Sequence, residues 1–443
     1  MTPHQLSALT AYADTTHRAL SSAVRHPATH AARTQTLHQV LNGHPAAAVS
    51  EILGRPRRRR QGIFFSGPQW ATLIANALPV ERCERILDPA CGIGDLLLAV
   101  ARELPLGPTL RDTLQGWSVR LAGNDLHGSF LELAWLRLQA LAMERHGMAH
   151  PRQQLATGRP TSFRVANALR EPWALRAGDG LVMNPPFQAI AAPRGTITGA
   201  GRVTAALPFL ERAVGHAPPG VHVVALVPEV LRSGSRYGRL RDWLAQRCDG
   251  LRFEAHGLFS DEANIDVALL VATTRAPASP TTKPAHDLPM PVPATTVGAE
   301  PNSHGRRLGD VCTVRVGAVV PHRTLKNAPR QPYIAVADIS PWTEMIPQRE
   351  AGFRATAHRP PFVAVRRTSG PKDKERIRAT VVKGKRPILV ENHILVLKPK
   401  QRTVAACRAL MEQLRQPRTH DWLNQRIRCR HLTVGAVSEI PLP

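Results

Sequence analysis

Residues 86–101 read ILDPACGIGDLLLAVA: an apolar run stops at Asp88, breaks on a proline and two glycines, and resumes as an amphipathic helix. A buried strand that turns this tightly into a helix places the free N–H groups of the helix start at the strand's carboxyl end. Gly92 and Gly94 carry no side chain, so backbone can approach a ligand closely there, and Pro89 stiffens the turn. The same alternation recurs from Gly62 to about Thr274, in RLAGNDL, GLVMNPP and VHVVALVPEVL, each apolar run followed by a helix-length stretch. Strands alternating with helices predict an α/β domain built on a mostly parallel sheet. The dinucleotide fingerprint GxGxxG is absent from the turn. Cys91 has no neighbouring base and reads as a small filler.

DPACGIG resembles the cofactor loop of S-adenosylmethionine-dependent methyltransferases. The resemblance implies a Rossmann-like domain with a mostly parallel seven-stranded sheet, and S-adenosylmethionine held by Asp88, Pro89, Ala90, Gly92 and Gly94. A second strand, RLAGNDLHG, ends at Asp125, where an acidic residue of a nucleotide-binding sheet grips ribose hydroxyls. An aspartate at a strand end is equally often a helix cap. A third strand, TSFRVANALR, ends near Asn167, which the resemblance places beside the cofactor's adenine amino group.

Asn184-Pro185-Pro186-Phe187 follows the apolar run GLVM and falls on a loop at the carboxyl end of a fourth strand. An exocyclic ring amine such as N6 of adenine is a poor nucleophile, because its lone pair is delocalised into the ring. Accepting its two N–H bonds through the Asn184 side-chain oxygen and the Pro185 carbonyl localises that lone pair toward a sulfonium methyl. The prolines hold the acceptors extended in advance, which is oxyanion-hole catalysis with the sign reversed. Phe187 offers a stacking face to a base rotated out of a duplex. Taken alone, NPP is also an ordinary turn.

With both loops present, residues 62–274 resemble the amino-methyltransferases of restriction-modification systems. GIFFSGPQWATLIANAL resembles the segment that closes over the methionine part of the cofactor, through Phe65, Ser66 and Pro68, and Asn184 also faces the cofactor. FEAHGLFSDEANIDVALLVATT resembles the terminal hairpin, with Phe259 as a wall of the base pocket. The order of closing segment, cofactor loop, catalytic loop and carboxyl-terminal recognition domain is that of the gamma class, which methylates adenine N6 in DNA. The same loop chemistry also serves cytosine N4, an RNA base or a protein glutamine, and a silent DNA-binding module is the remaining alternative. Between them, QAIAAPRGTITGAGRVT predicts a mobile loop whose Arg194 and Arg202 meet phosphate on DNA.

Outside this domain, residues 1–60 read as a helical segment and a basic linker, Arg55 to Arg60. Residues 276–307 carry seven prolines between Pro277 and Pro301 and read as an extended linker. Residues 308–443 hold short strand-like segments and a helical pattern from Thr403 to about Arg428, predicting a smaller α+β domain. RRLGDVCTVRVGAVV and HLTVGAVSEIPLP resemble the ends of target-recognition domains in type I specificity subunits. Arg366, Arg367, Lys372, Lys374, Arg376, Arg378, Lys383, Lys385 and Arg386 suit tracking a duplex backbone, in keeping with a formal charge of +25. Double-stranded DNA is the expected partner. Without GxxxxGK[ST] or a nuclease set, cleavage would fall to a separate restriction endonuclease or defence-system subunit. Six scattered cysteines without a CxxC pair argue against a zinc site, and no metal is expected. No apolar run is long enough to span a membrane and the first twenty residues show no secretion signal, so the expected location is cytoplasmic.

Overall fold

The structure, a computed structural model, describes residues 1–25, 30–147, 158–260, 262–276, 306–322, 324, 327–369, 373, 375–427 and 431–443. The prolines of the expected linker, Pro277 to Pro301, lie outside these residues. Contacts divide the chain into two units, Met1–Arg232 with Gly238–Ala294, and Ser233–Tyr237 with Thr295–Pro443. No helix among the described residues is long and apolar enough to cross a membrane.

In chain order the first unit contains α1 (Pro3–Arg25), α2 (His30–Leu41), α3 (His44–Leu53), α4 (Arg55–Gln61), α5 (Gly67–Ala77), β1 (Ile86–Asp88), α6 (Asp95–Glu103) and α7 (Leu110–Arg120). There follow β2 (Leu121–Asp125), α8 (Gly128–Arg145), β3 (Phe163–Val165), β4 (Gly180–Met183), β5 (Ala189–Ala191), β6 (Arg202–Thr204) and α9 (Ala206–Gly215). The last are β7 (His222–Pro228), α10 (Glu229–Ser233), α11 (Gly238–Arg247), β8 (Cys248–Leu258) and β9 (Asp266–Thr274). Seven strands form one sheet in the order β3-β2-β1-β4-β7-β9-β8. The strands from β3 to β7 pair in parallel, and β9 runs antiparallel to both of its neighbours. GLVM of β4 is buried throughout and HVVALVP of β7 almost so, as central strands covered on both faces must be. The winding reverses between β1 and β4, so the loops after these two strands meet at the crevice where ligands bind in open α/β sheets.

The amino-terminal helices belong to this core rather than prefacing it. α8 is apolar around most of its circumference, from Phe130 and Leu131 through Leu138 and Leu141, and such a helix must be covered on every side. Leu20, Leu37, Val40 and Leu41 of α1 and α2 share one core with it, and Leu9 and Ala13 pack with Phe130 and Leu133. The basic run is likewise a helix and not a linker. In α4, Arg57 donates to Gln5 (2.7 Å), Arg58 pairs with Glu262 (2.8 Å) and Arg59 donates to the Glu262 carbonyl (2.9 Å).

The second unit contains α12 (Leu308–Val311), β10 (Cys312–Val316), β11 (Gln331–Ile334), β12 (Thr343–Met345), β13 (Arg349–Ala351), β14 (Phe362–Arg366), β15 (Ala379–Val382), β16 (Leu389–Val390) and β17 (Ile394–Pro399). It closes with α13 (Val404–Arg415), α14 (Pro417–Arg426) and α15 (Val434–Ser438). A five-stranded sheet, β10-β17-β14-β15-β12, lies between these helices and a three-stranded sheet, β13-β11-β16. Alternation along the central strands assigns the faces. Val363, Val365, Leu395 and Leu397 pack with the helices, whereas Phe362, Ala364, Ile394 and Val396 pack with Ile334 and Val390 of the smaller sheet. The single helical pattern expected after Thr403 is two helices, because Pro417 cannot continue the first and opens the second.

Candidate functional site

Asp88 ends β1 almost fully buried, and its Oδ1 accepts the Ala90 N–H at 3.0 Å. Burial pushes its carboxyl up to about 8, a rise that the nearby Asp125 and Asp95 charges reinforce. Beyond the buried Pro89, the turn takes Gly92 and Gly94 through left-handed backbone, φ 52° and 84°. Gly94 is required twice over: a Cβ there would also stand 2.8 Å from Cβ of Ala134, where α6 crosses α8. Asp125, at the end of β2, accepts the Gly92 N–H on one oxygen (3.1 Å) and the His127 N–H on the other (2.9 Å). It thereby ties the glycine turn to the neighbouring strand, and burial lifts its carboxyl to about 6.

Beside Asp125 lie two apolar side chains that motif reading missed, Leu126 and Val165, 61% and 52% exposed. Val165 pairs directly with Asp125 across β2 and β3. Large apolar groups left in water at the rim of a ligand crevice suit the flat face of a base. Asn167 lies just beyond β3. Its side-chain oxygen accepts the Leu169 N–H (3.0 Å) and its carbonyl the N–H groups of Arg170 and Glu171, so this amide oxygen shapes a turn.

Of the closing segment, Phe65 lies over the glycine turn, where a Cβ on Gly92 would meet its ring at 3.7 Å, and it packs edge to face with Phe130. Ser66 is nearly buried, while Pro68 stands exposed in the first turn of α5. The Gly67 N–H donates to Oδ2 of Asp95 (2.9 Å), whose Oδ1 is held by the guanidinium of Arg137 at 2.6 Å. Arg137 is buried in α8 and also donates to the carbonyls of Ile93 and Val40. A single arginine inside LELAWLRLQALAM was the sequence signal for this anchor, since a charge that deep must be paired.

The loop after β4 carries Asn184 to Phe187. The Asn184 Nδ2 donates to the Ser66 hydroxyl at 2.9 Å, and its Oδ1 is buried without any hydrogen-bond partner among the described residues. Nor does any donor among them reach the carbonyl of Pro185. Pro185 is buried and Pro186 half-buried. Phe187 does not present the open platform expected of it: only 5% exposed, it meets Phe259 edge to face at 5.4 Å. Phe259 in turn stacks on Trp70 (5.8 Å) and accepts that indole's N–H on its carbonyl. The aromatic wall is therefore a cluster contributed by α5, the loop after β4 and the β8–β9 turn.

Within residues 188–204, β5 and β6 pair as a hairpin that brackets the glycine-rich segment. Arg202 donates within it to the Ala189 carbonyl, the Ile197 N–H is held by Glu211, and Arg194 is exposed. In the second unit the expected basic track is interrupted. Arg376 is buried and donates to the carbonyls of Ser369 and Ile427, Lys383 pairs with Glu344 (2.8 Å), and Arg386 with Glu350 (2.8 Å). Lys372 and Lys374 lie outside the described residues.

No family model and no curated protein matches the chain. Among solved structures, the Type IIL restriction-modification enzyme MmeI in complex with DNA aligns with 89% of this chain and 69% of its own, at 11% identity and a TM-score of 0.54. A modification subunit of a putative type I restriction enzyme from Vibrio vulnificus YJ016 aligns with 53% of this chain at 19% identity, with a TM-score of 0.35. The DrdV-DNA complex aligns with 56% at 14% identity, with a TM-score of 0.43. The chain spans 50% of that type I subunit and 29% of the DrdV chain. At these identities the likeness is one of fold. The first unit has the mostly parallel seven-stranded α/β sheet of the Rossmann-like fold.

Proposed function

We propose that the chain is an S-adenosylmethionine-dependent DNA methyltransferase of restriction-modification type that methylates N6 of an adenine rotated out of the duplex. One observation carries the reading: among the described residues the Asn184 Oδ1 is a buried acceptor with no donor, beside a Pro185 carbonyl that none of them bonds, at the point where the winding of the sheet reverses. Leaving a buried oxygen unsatisfied costs about 1–3 kcal/mol, so such an atom in a crevice is best explained by a ligand donor. An amino group with two N–H bonds supplies one to each oxygen, and both bonds pull its lone pair out of the ring.

The cradle fits the cofactor. The glycine turn from Asp88 to Gly94, with Phe65 above it, leaves room for close backbone approach, Asp125 offers acceptors to ribose hydroxyls, and Leu126 and Val165 flank a base. When bound, S-adenosylmethionine supplies an electrophilic sulfonium methyl. The chain's own residues orient the amine, exclude water with the Phe187–Phe259–Trp70 cluster, and take no covalent part.

The test is incubation with labelled cofactor and DNA, RNA or protein acceptors, followed by digestion and mass spectrometry. N6-methyladenine in DNA is the expected product. N4-methylcytosine, a modified RNA base or methylglutamine as sole product would replace this reading with another acceptor for the same loop.

A further inference from the structure

The catalytic amide has two ends, and only one orientation is useful. With Oδ1 toward the pocket Asn184 accepts from an amine; turned over, it presents two N–H donors to a group that is itself a donor. Ser66 stands where it can settle this. Its hydroxyl accepts from Nδ2 at 2.9 Å, both residues are largely buried, and Oδ1 is left without a donor among the described residues. The serine is itself held. The N–H of the next residue, Gly67, donates to Asp95 at the start of α6, and Asp95 is locked by the buried Arg137. Three polar contacts, joined by the Ser66–Gly67 peptide bond, thus run from the middle of α8, past the glycine turn, to the catalytic loop.

Resting on the methyl-transfer reading above, we infer that Ser66 is a positioning residue: its hydroxyl, fixed through Gly67, Asp95 and Arg137, holds the Asn184 amide with its oxygen toward the amine. A side chain that only contacted cofactor would change cofactor affinity. One that sets the amide orientation changes the rate at saturating cofactor, and matters less once residue 184 is the same at both ends.

The experiment compares wild type, Ser66→Ala, Ser66→Thr, Asn184→Asp and the Ser66→Ala/Asn184→Asp pair, measuring single-turnover transfer to unmethylated genomic DNA and cofactor affinity by calorimetry. Melting temperatures confirm that each variant is folded. Ser66→Ala is expected to slow transfer roughly ten- to a hundredfold, part of what a missing preorganised group costs, and Ser66→Thr to recover most of it. In the Asn184→Asp background, where a carboxylate offers oxygen at either end, the further effect of Ser66→Ala should shrink to about threefold or less. An equal loss in both backgrounds, or a loss confined to cofactor affinity, overturns the positioning role. Absence of transfer by wild type to any DNA base instead overturns the methyltransferase reading on which it stands.

Discussion

The two halves of the crevice use their polar atoms in opposite ways. On the cofactor side, the buried Asp88 and the half-buried Asp125 accept the backbone N–H groups of Ala90, Gly92 and His127. On the acceptor side, the oxygens of Asn184 and Pro185 receive no donor from the described residues. The first half is a self-consistent turn, formed in advance because the chain satisfies it internally. The second holds acceptors at a cost to stability, which the surrounding anchors must offset. Binding and chemistry should accordingly be separable by mutation.

The sharpest test of that separation is Asn184→Ala. Transfer is expected to fall roughly 10²- to 10³-fold at saturating cofactor, the scale for removing one preorganised catalytic group, with cofactor affinity changed no more than a few-fold. Single-turnover rates and calorimetry read the two quantities separately. The converse is Asp125→Asn, which replaces an anionic acceptor of two backbone N–H groups with an amide. Bonds to a charged group contribute about 1.5–3 kcal/mol, so affinity should drop roughly ten- to a hundredfold while the saturated rate holds. If either variant moves both quantities equally, the halves are not distinct.

What was legible in the chain was local. DPACGIG and NPPF announce themselves because each puts its chemistry within one turn, and the hairpin at β8–β9 was expected only through the family resemblance of FEAHGLFSDEANIDVALLVATT. What stayed hidden joins residues far apart. Arg137, Asp95 and Gly67 are related only once α5, α6 and α8 are packed, and the aromatic wall needs Trp70, Phe187 and Phe259 from three elements. Arg376 illustrates the opposite error. A charged residue in a basic stretch reads as a phosphate contact, yet here it is buried against the Ser369 and Ile427 carbonyls, which only the folded second unit reveals. The docking of the helices before Gly62 was readable in principle: an α8 apolar around most of its circumference has to be covered by something.

The raised carboxyls sharpen the comparison through pH. Unfolded, both aspartates titrate near their ordinary 3.8; folded, burial holds Asp125 near 6 and Asp88 near 8. The folded state therefore keeps protons that the unfolded state releases, and these groups lower the stability of the ligand-free protein as pH rises from about 4 to 8. With Asp125 in its proposed role as acceptor of ribose hydroxyls, cofactor binding should run the other way, since a carboxylate accepts best when ionised. Affinity is expected to climb several-fold between pH 5.5 and 7.5, on the scale of about tenfold per unit below a controlling group's pKa. Asp125→Asn should flatten that climb, whereas Asn184→Ala should leave it intact. Calorimetry across this range decides, and an unaltered slope in Asp125→Asn removes Asp125 from the binding half.

The smallest effect belongs to Leu126, and it separates ligand packing from protein packing. At 61% exposure this side chain contributes little to the fold, so Leu126→Ala should shift the melting temperature hardly at all. If a cofactor base covers it, truncation removes apolar contact worth about 1 kcal/mol, part of the 1.5–3 kcal/mol for full burial, and weakens affinity roughly fivefold. The saturated transfer rate should stay put, because nothing at this rim touches the amine. Paired measurement of melting and affinity makes the outcome decisive: a fall in stability makes Leu126 a core residue, and an unchanged affinity moves the base elsewhere along the ends of β2 and β3.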